Sequence, residues 1–318
     1  MLRFILCSSF LFLLTLAGCK RVEEGLPRPD LTNRKARVVA TTGMIADAAK
    51  EVGGDLIEIE CLLGPGGDPH KYYPTNSDTE RLAKADLILY NGLELEAKMG
   101  EIFEKMAKQR RTVAVSKKIP VDQLRTPEKG FEGTHDPHIW FNVKLWIQAV
   151  EVVQEALAEL DPKNAETYAS RARNYIDRLQ ILDSEVRSQI ANIEPEKRVL
   201  ITAHDAFGYF GDEYGFVVKG LQGTSTAAQT GTRSVDELVT IIGEQRIPVI
   251  FGETSVPDVG IKKVLEGVAS KYKNISVKLS EEELFSDALG EPGTPEGTYA
   301  GMVRYNVRVL VTALGKKP

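Results

Sequence analysis

The sequence predicts an α/β protein of two sandwich lobes with parallel sheets, joined by one long rigid connecting helix. Three observations carry this. Short apolar runs alternate with segments of helical period, as in parallel βα units covered on both faces. With about 280 residues beyond an N-terminal leader and linker, the chain exceeds what one hydrophobic core usually serves. Between the halves, one apolar stripe at steps of three and four continues without a break for about 30 residues.

Residues 1–18 read as an address, not a fold. Met1-Leu2-Arg3 gives a short basic start, and residues 4–16 form an apolar run interrupted only by Cys7, Ser8, Ser9 and Thr15, too short to span a bilayer. The run ends in Leu16-Ala17-Gly18-Cys19, the pattern of a bacterial lipoprotein cleavage site at which Cys19 becomes the acylated first residue. Residues 19–36 are charged, contain two prolines and lack an apolar period, so they read as a flexible tether.

An N-terminal α/β lobe is expected over residues 37–161. Apolar runs at 38–41, 57–63 and 87–90 alternate with helical patterns at 44–52 and 81–85, and Ser77-Asp78-Thr79-Glu80 offers a capping box to the second helix. The connecting helix takes residues 162–194. Asp161 is a good N-cap and Pro162 suits the first helical position. Tyr168, Ala172, Tyr175, Leu179, Leu182, Val186, Ile190 and Ile193 line one face, and Pro195 stops the helix. Such a rod, roughly 45 Å long, restricts hinge opening, because a helix bends far less readily than paired extended linkers. A C-terminal α/β lobe, residues 195–318, repeats the style. Its apolar runs fall at 199–202, 216–218, 247–251 and 275–279, with helices near 235–244, 264–272 and 299–314.

Loss of residues 1–18 removes one charge, Arg3, and moves the formal net charge from -5 to -6. So acidic a chain does not suit a nucleic-acid partner, which demands a basic face. No second apolar run approaches spanning length, so the N-terminal lipid is the one membrane contact expected. Cys61 is then the only thiol left, which excludes an intrachain disulfide; lying in an apolar run, it reads as buried and inert.

The chain has only four histidines, at positions 70, 135, 138 and 204, and two stand in the same tripeptide, Asp68-Pro69-His70 and Asp136-Pro137-His138. His70 follows the 57–63 run through Gly64-Pro65-Gly66-Gly67, and His204 directly follows residues 199–203. Both should project from the carboxyl ends of strands, where open α/β sheets place their ligands. His138 sits in a loop before a helix beginning near Asn142, its backbone fixed by Pro137. A lone loop histidine is more often solvated or hydrogen-bonded than a ligand, but three in such places, drawn from both halves, favour a joint metal site. His135, in a polar stretch, is expected to be exposed.

Imidazole suits zinc, copper, nickel and iron, whereas calcium and magnesium prefer oxygen shells. Three imidazoles carry no charge to offset a dication, so a carboxylate is expected beside them. Asp287 in Leu284-Phe285-Ser286-Asp287-Ala288-Leu289-Gly290 is the best candidate by composition, although spacing alone does not separate it from Glu281, Glu282 or Glu283.

Five segments in order resemble the metal-specific solute-binding proteins of bacterial ABC importers, the TroA-like zinc and manganese receptors. They are Gly64-Pro65-Gly66-Gly67-Asp68-Pro69-His70, Asn91-Gly92-Leu93-Glu94-Leu95-Glu96, Asp136-Pro137-His138-Ile139-Trp140-Phe141, Thr202-Ala203-His204-Asp205-Ala206-Phe207-Gly208-Tyr209-Phe210 and the Asp287 segment. The similarity covers nearly all of the chain after the tether. It implies one metal site at the lobe interface, with His70 and His138 from the first lobe and His204 and Asp287 from the second. It also implies that the long helix is the family's rigid connector, and that Glu253 in Phe251-Gly252-Glu253-Thr254-Ser255 stands beside the ligands and not among them. The expected protein is a monomeric extracytoplasmic receptor, lipid-anchored through Cys19, that delivers its ion to the permease of its own transport system.

Two departures bear on the metal. Zinc-dedicated members often carry a long His-rich acidic loop before the second ligand motif, and residues 119–136 here contain only His135. Manganese-dedicated members commonly place a glutamate where this chain has His204. The set of three histidines and one aspartate leans towards Zn2+, with Mn2+ also possible. The alternatives are a zinc-dependent hydrolase and a surface adhesin. A hydrolase needs an open coordination position and a positioned base; direct coordination by Asp287 closes the site, and no His-Glu-x-x-His, Gly-x-Ser-x-Gly, Gly-x-Gly-x-x-Gly or P-loop motif is present. No enzymatic activity is expected, and nothing in the sequence marks a face for an adhesin.

Overall fold

The computed structural model describes residues 26–127, 133–227 and 231–315. Strand β1 (Ala36–Ala40) leads into helix α1 (Gly43–Gly53), followed by β2 (Ile57–Cys61), α2 (Asn76–Lys84), β3 (Leu87–Tyr90), α3 (Gly100–Ala107) and β4 (Arg111–Ala114). The strands are parallel in the order β2-β1-β3-β4, with Val38 opposite both Ile59 and Leu87. Alternation along β1 covers both faces: Val38 and Ala40 join one core with α1, while Val39 joins a second with Leu82, Ile88 and Phe103.

The capping box of α2 is two residues earlier than the sequence suggests. Thr75 Oγ1 accepts from the Asp78 N–H at 3.2 Å and Asp78 accepts from the Thr75 N–H at 2.8 Å, so Ser77 lies inside the first turn. Part of the stretch read as a tether is tied down: Arg34 pairs with Asp86 at 2.5 and 2.9 Å, and Leu31 packs on the core.

Helix α4 (Val143–Leu160) starts at an Asn142 cap whose Oδ1 accepts from the Lys144 and Leu145 N–H groups. The long helix α5 (Ala165–Ile190) has 26 residues, or about 39 Å. It is shorter than expected at both ends: Pro162–Asn164 form a 3-10 turn, with Asp161 accepting from Asn164 Nδ2 and Tyr168 Oη instead of capping an α-helix, and the helix stops at Ile190, before Pro195. The whole expected stripe is buried, from Tyr168 to Ile193. It packs against α4, α1 and the C-terminal helix.

The second half contains β5 (Val199–His204), α6 (Gly208–Tyr214), β6 (Val217–Gln222), α7 (Thr232–Gln245), β7 (Val249–Ile250), α8 (Val259–Lys271), β8 (Lys278–Leu279) and α9 (Tyr299–Leu314). β5 pairs with β6 and β7 with β8, all parallel. The Phe251 N–H donates to Ile201 C=O at 2.9 Å, setting β7 beside β5. The largest core runs through both halves, from Val38 and Met44 through Trp140 and Leu182 to Phe207, Leu289 and Leu310. At the seam Asp47 of α1 accepts from the Tyr299 N–H at 3.0 Å and from Tyr175 Oη at 3.3 Å, and the Tyr299 hydroxyl donates to Trp140 C=O at 2.8 Å.

Candidate metal centre

Each of the four expected ligands leaves a short loop or strand end at the same seam. His70 sits between β2 and α2, His138 just before α4, His204 is the last residue of β5, and Asp287 follows β8. The structure brings all four together: one ligand atom from each lies within 4.8 Å of every other. None is more than 2% exposed.

The Nε2 atoms of His70 and His138 are 3.2 Å apart. Asp287 Oδ2 is 3.3 Å from His204 Nε2 and 3.8 Å from His70 Nε2, and Oδ1 is 3.5 Å from His138 Nε2. Donors bound tetrahedrally to zinc at about 2.0–2.1 Å stand about 3.3 Å from one another, so these spacings fit one ion. His204 Nε2 and both Asp287 oxygens are buried without a hydrogen-bond partner among the described residues. Buried polar atoms are rarely left so, since each costs its desolvation.

Carboxylates behind the histidines fix which nitrogen faces inward. Asp136 Oδ1 lies 2.7 Å from His138 Nδ1, and Glu253 Oε2 lies 2.5 Å from His204 Nδ1. With a carboxylate as acceptor at each Nδ1, Nε2 is the ring nitrogen left to face the centre and bind an ion. The Asp-Pro-His repeat has a local reason as well: Asp68 Oδ1 and Asp136 Oδ1 each accept from the backbone N–H of the histidine two residues on, at 3.0 Å. Glu253 binds His204 in both ways, its Oε1 also accepting from the His204 N–H at 2.7 Å.

A further brace was not evident from the sequence. Asn91 Nδ2 donates to Pro137 C=O at 3.0 Å, and buried Glu96 accepts from the Asn91 N–H at 2.8 Å and from the Thr41 hydroxyl at 2.6 Å. Glu96 closes a turn in which Gly92, Leu93 and Glu94 all have positive φ. Across the seam Thr226 Oγ1 donates to Asp68 Oδ2 at 2.7 Å, and Trp140 Nε1 to Ser286 C=O at 3.0 Å.

Burial and charge act differently on the two flanking histidines. Burial takes His70 down to about 3, against the pull of Asp287. Burial also opposes charging of His204, but Glu253 and Asp287 outweigh it and hold the imidazole well above its ordinary value. Burial pushes the Asp287 carboxyl upward, yet the surrounding His204, His138 and His70 bring it below the usual range.

Other expectations fall elsewhere. Glu282 pairs with Arg308 at 2.6 Å, and Glu281 and Glu283 are exposed, leaving Asp287 as the carboxylate at the centre. His135 is half-buried, not exposed, with Nδ1 2.9 Å from Thr134 Oγ1. Cys61 is half-buried, its thiol donating to Leu63 C=O at 3.0 Å and pushed up to about 11 by burial. Cys19 and residues 1–18 lie outside the described residues. Among the described residues no helix is long and apolar enough to cross a membrane.

Two α/β halves meeting over one buried three-histidine, one-aspartate cluster define the class of two-lobed metal-binding solute receptors. Residues 38–313 match the family described as ZnuA, zinc-uptake complex component A periplasmic, and the chain belongs to that family. It is 42% identical over 299 residues to the manganese-binding lipoprotein MntA of Bacillus subtilis (strain 168), covering 94% of this chain and 95% of that protein. It is 45% identical over 282 residues to the zinc-binding protein TroA of Treponema pallidum (strain Nichols), covering 89% and 90%. The solved structure of periplasmic zinc-binding TroA from Treponema pallidum superposes with a TM-score of 0.85 at 45% identity, over 89% of this chain and 100% of that one.

Proposed function

We propose that His70, His138, His204 and Asp287 together capture one divalent transition metal ion, zinc or manganese, outside the cytoplasm, and that the receptor delivers it to the permease of an ABC importer. The carrying observation is the convergence of four buried side chains from both halves, with His204 Nε2 and both Asp287 oxygens lacking a hydrogen-bond partner among the described residues. The relatives support the cargo class, one being named for manganese and one for zinc. Donor spacings near the tetrahedral value favour zinc, while the inward turn of both Asp287 oxygens also suits a larger ion with more oxygen in its shell. Four protein donors fill a tetrahedral shell and leave no place for an activated water, which favours a carrier over a hydrolase. In this reading the protein acts as a monomer tethered through acylated Cys19.

Titration of the purified chain with zinc and with manganese should give one ion per molecule. Full affinity in a folded variant combining His70→Ala, His138→Ala and His204→Ala would sink the site. Delivery is tested in the host: deletion should lower cellular uptake of the cargo metal, with rescue by the wild-type chain and not by His204→Ala. Anchoring is tested by mass analysis of the mature N-terminus, where Cys19 should carry acyl groups.

A further inference from the structure

We propose that the first lobe carries a docking surface for anionic lipid headgroups, a basic groove at the end of the sheet remote from the metal centre. The groove encloses about 470 Å3 and is lined by Arg28, Arg34, Arg37, Lys84, Arg110 and Arg111 against one carboxylate, Asp86. The whole chain has 40 Lys and Arg against 45 Asp and Glu, so six cations to one anion is a local inversion of its balance. Asp86 is already engaged, accepting from the Arg34 guanidinium at 2.5 and 2.9 Å and from the Arg37 N–H at 2.8 Å. At the rim, Arg111 reaches Glu159 at 3.4 Å and Lys84 reaches Glu80 at 3.8 Å. Arg28, Arg37 and Arg110 form no ion pair among the described residues, Arg110 donating instead to Ala83 C=O at 3.1 Å and Gln109 C=O at 2.9 Å.

Position selects the occupant. Leu26, Pro27 and Arg28 line the groove, and Leu26 is seven residues beyond Cys19. Seven residues reach at most about 25 Å, so an acylated Cys19 keeps the groove within that distance of the bilayer; this step rests on the anchoring proposed above. Each Lys or Arg brought to an anionic leaflet strengthens binding about fivefold. The groove lies at the amino ends of the strands, Arg37 near the start of β1 and Arg111 at the start of β4. His70 follows the carboxyl end of β2, and Asn91, just past β3, bonds Pro137 beside His138, so both lie about 17 Å away along a five-residue strand. A docked receptor therefore loads with its metal centre turned from the membrane, and must release this face to meet the permease.

The test uses the mature chain with Cys19→Ser, which cannot be acylated, sedimented with vesicles of phosphatidylglycerol or of phosphatidylcholine. Binding is expected on the anionic vesicles only, weakened by high salt. Combining Arg28→Glu, Arg37→Glu and Arg110→Glu should reduce it by about 100-fold, with metal affinity unchanged as the control for folding. Equal binding to both vesicles, or unaltered anionic binding in the variant, overturns the proposal. So does stabilisation of the chain by inorganic phosphate without vesicle binding, which would make the groove a small-anion site. Metal affinity should be the same for vesicle-bound and free protein; a loss on binding overturns the outward-facing pose. Because the assay needs no lipid on the protein, failure of acylation shows separately, as an unmodified Cys19 in native membranes.

Discussion

The residues that decide how tightly an ion is held include two that would not touch it. Asp136 and Glu253 fix the imidazole tautomers of His138 and His204, and losing such an orienting carboxylate typically costs 10–100-fold in metal affinity, on the order of one to three kcal/mol. Asp136→Asn and Glu253→Gln should each fall in that range by chelator competition, with unchanged circular dichroism; wild-type affinity in both would mean the rings are held by packing alone. Glu253 also sets the proton traffic. Because it and Asp287 outweigh burial and raise His204, protons compete with an incoming ion for this imidazole. Calorimetry in buffers of different ionisation enthalpy should therefore show proton release on binding, and affinity should rise with pH. An affinity that does not change with pH would show that no such competition occurs at His204. His70 has the opposite sign: lowered to about 3 by burial, it stays neutral in the fold while the unfolded chain protonates below about 6.5. It subtracts stability from the metal-free protein as pH falls through that window, and His70→Gln should flatten the loss. The histidines were readable from the repeated Asp-Pro-His and the strand-end positions, whereas Asp287, the best candidate by composition, was separated from the glutamates only by resemblance, because an aspartate four residues past a run of glutamates has no signature until burial distinguishes them.

Among the elements, those with a long one-sided pattern were the readable ones. Of the eight apolar positions at helical steps, seven fall in α5 and the eighth, Ile193, is buried just past its end, because so long a stripe has no competing explanation, and α9 was found at its observed bounds, Tyr299–Leu314. β4 is a half-buried edge strand throughout and α6 is seven residues rich in glycine and aromatics, so neither carries a period strong enough to see. Some positioning is invisible in sequence because it is a matter of approach. A Cβ on Gly220 in β6 would come within 2.3 Å of the Asp205 amide nitrogen and 2.5 Å of the His204 carbonyl carbon, so Gly220→Ala must push the end of β5 away. We expect that variant to fold but to bind metal at least about tenfold more weakly, a displaced ligand being as costly as an unoriented one. In α5, Leu182 is fully buried, and Leu182→Ala should cost about 2–5 kcal/mol in denaturant unfolding. A cost below about 1 kcal/mol would mean that the rod does not hold the two halves.

For the molecule as a whole, the feature with most consequence is that one core runs through both halves and through α5, while each half supplies two of the four proposed ligands. Two lobes with separate cores would melt separately, and a ligand held between them would stabilise only their association. Here the shared core, with Asp47, Tyr175 and Tyr299 bonded across the seam, couples the halves before any ion arrives. Metal binding should then act on a single cooperative transition. Cargo at about a thousand times its Kd adds about 4 kcal/mol to the folded state, and the entire melting curve should move upward as one. Calorimetry at rising metal concentration checks this directly. Two transitions of which only one moves would show that the lobes unfold independently, and that the long helix is a linker instead of part of a common core. The same coupling limits how far the halves can part to release the ion, so small-angle scattering should show little change in radius of gyration between metal-free and loaded protein. Release must then come from loop movement around His70, His204 and Asp287, with no wide opening of the lobes.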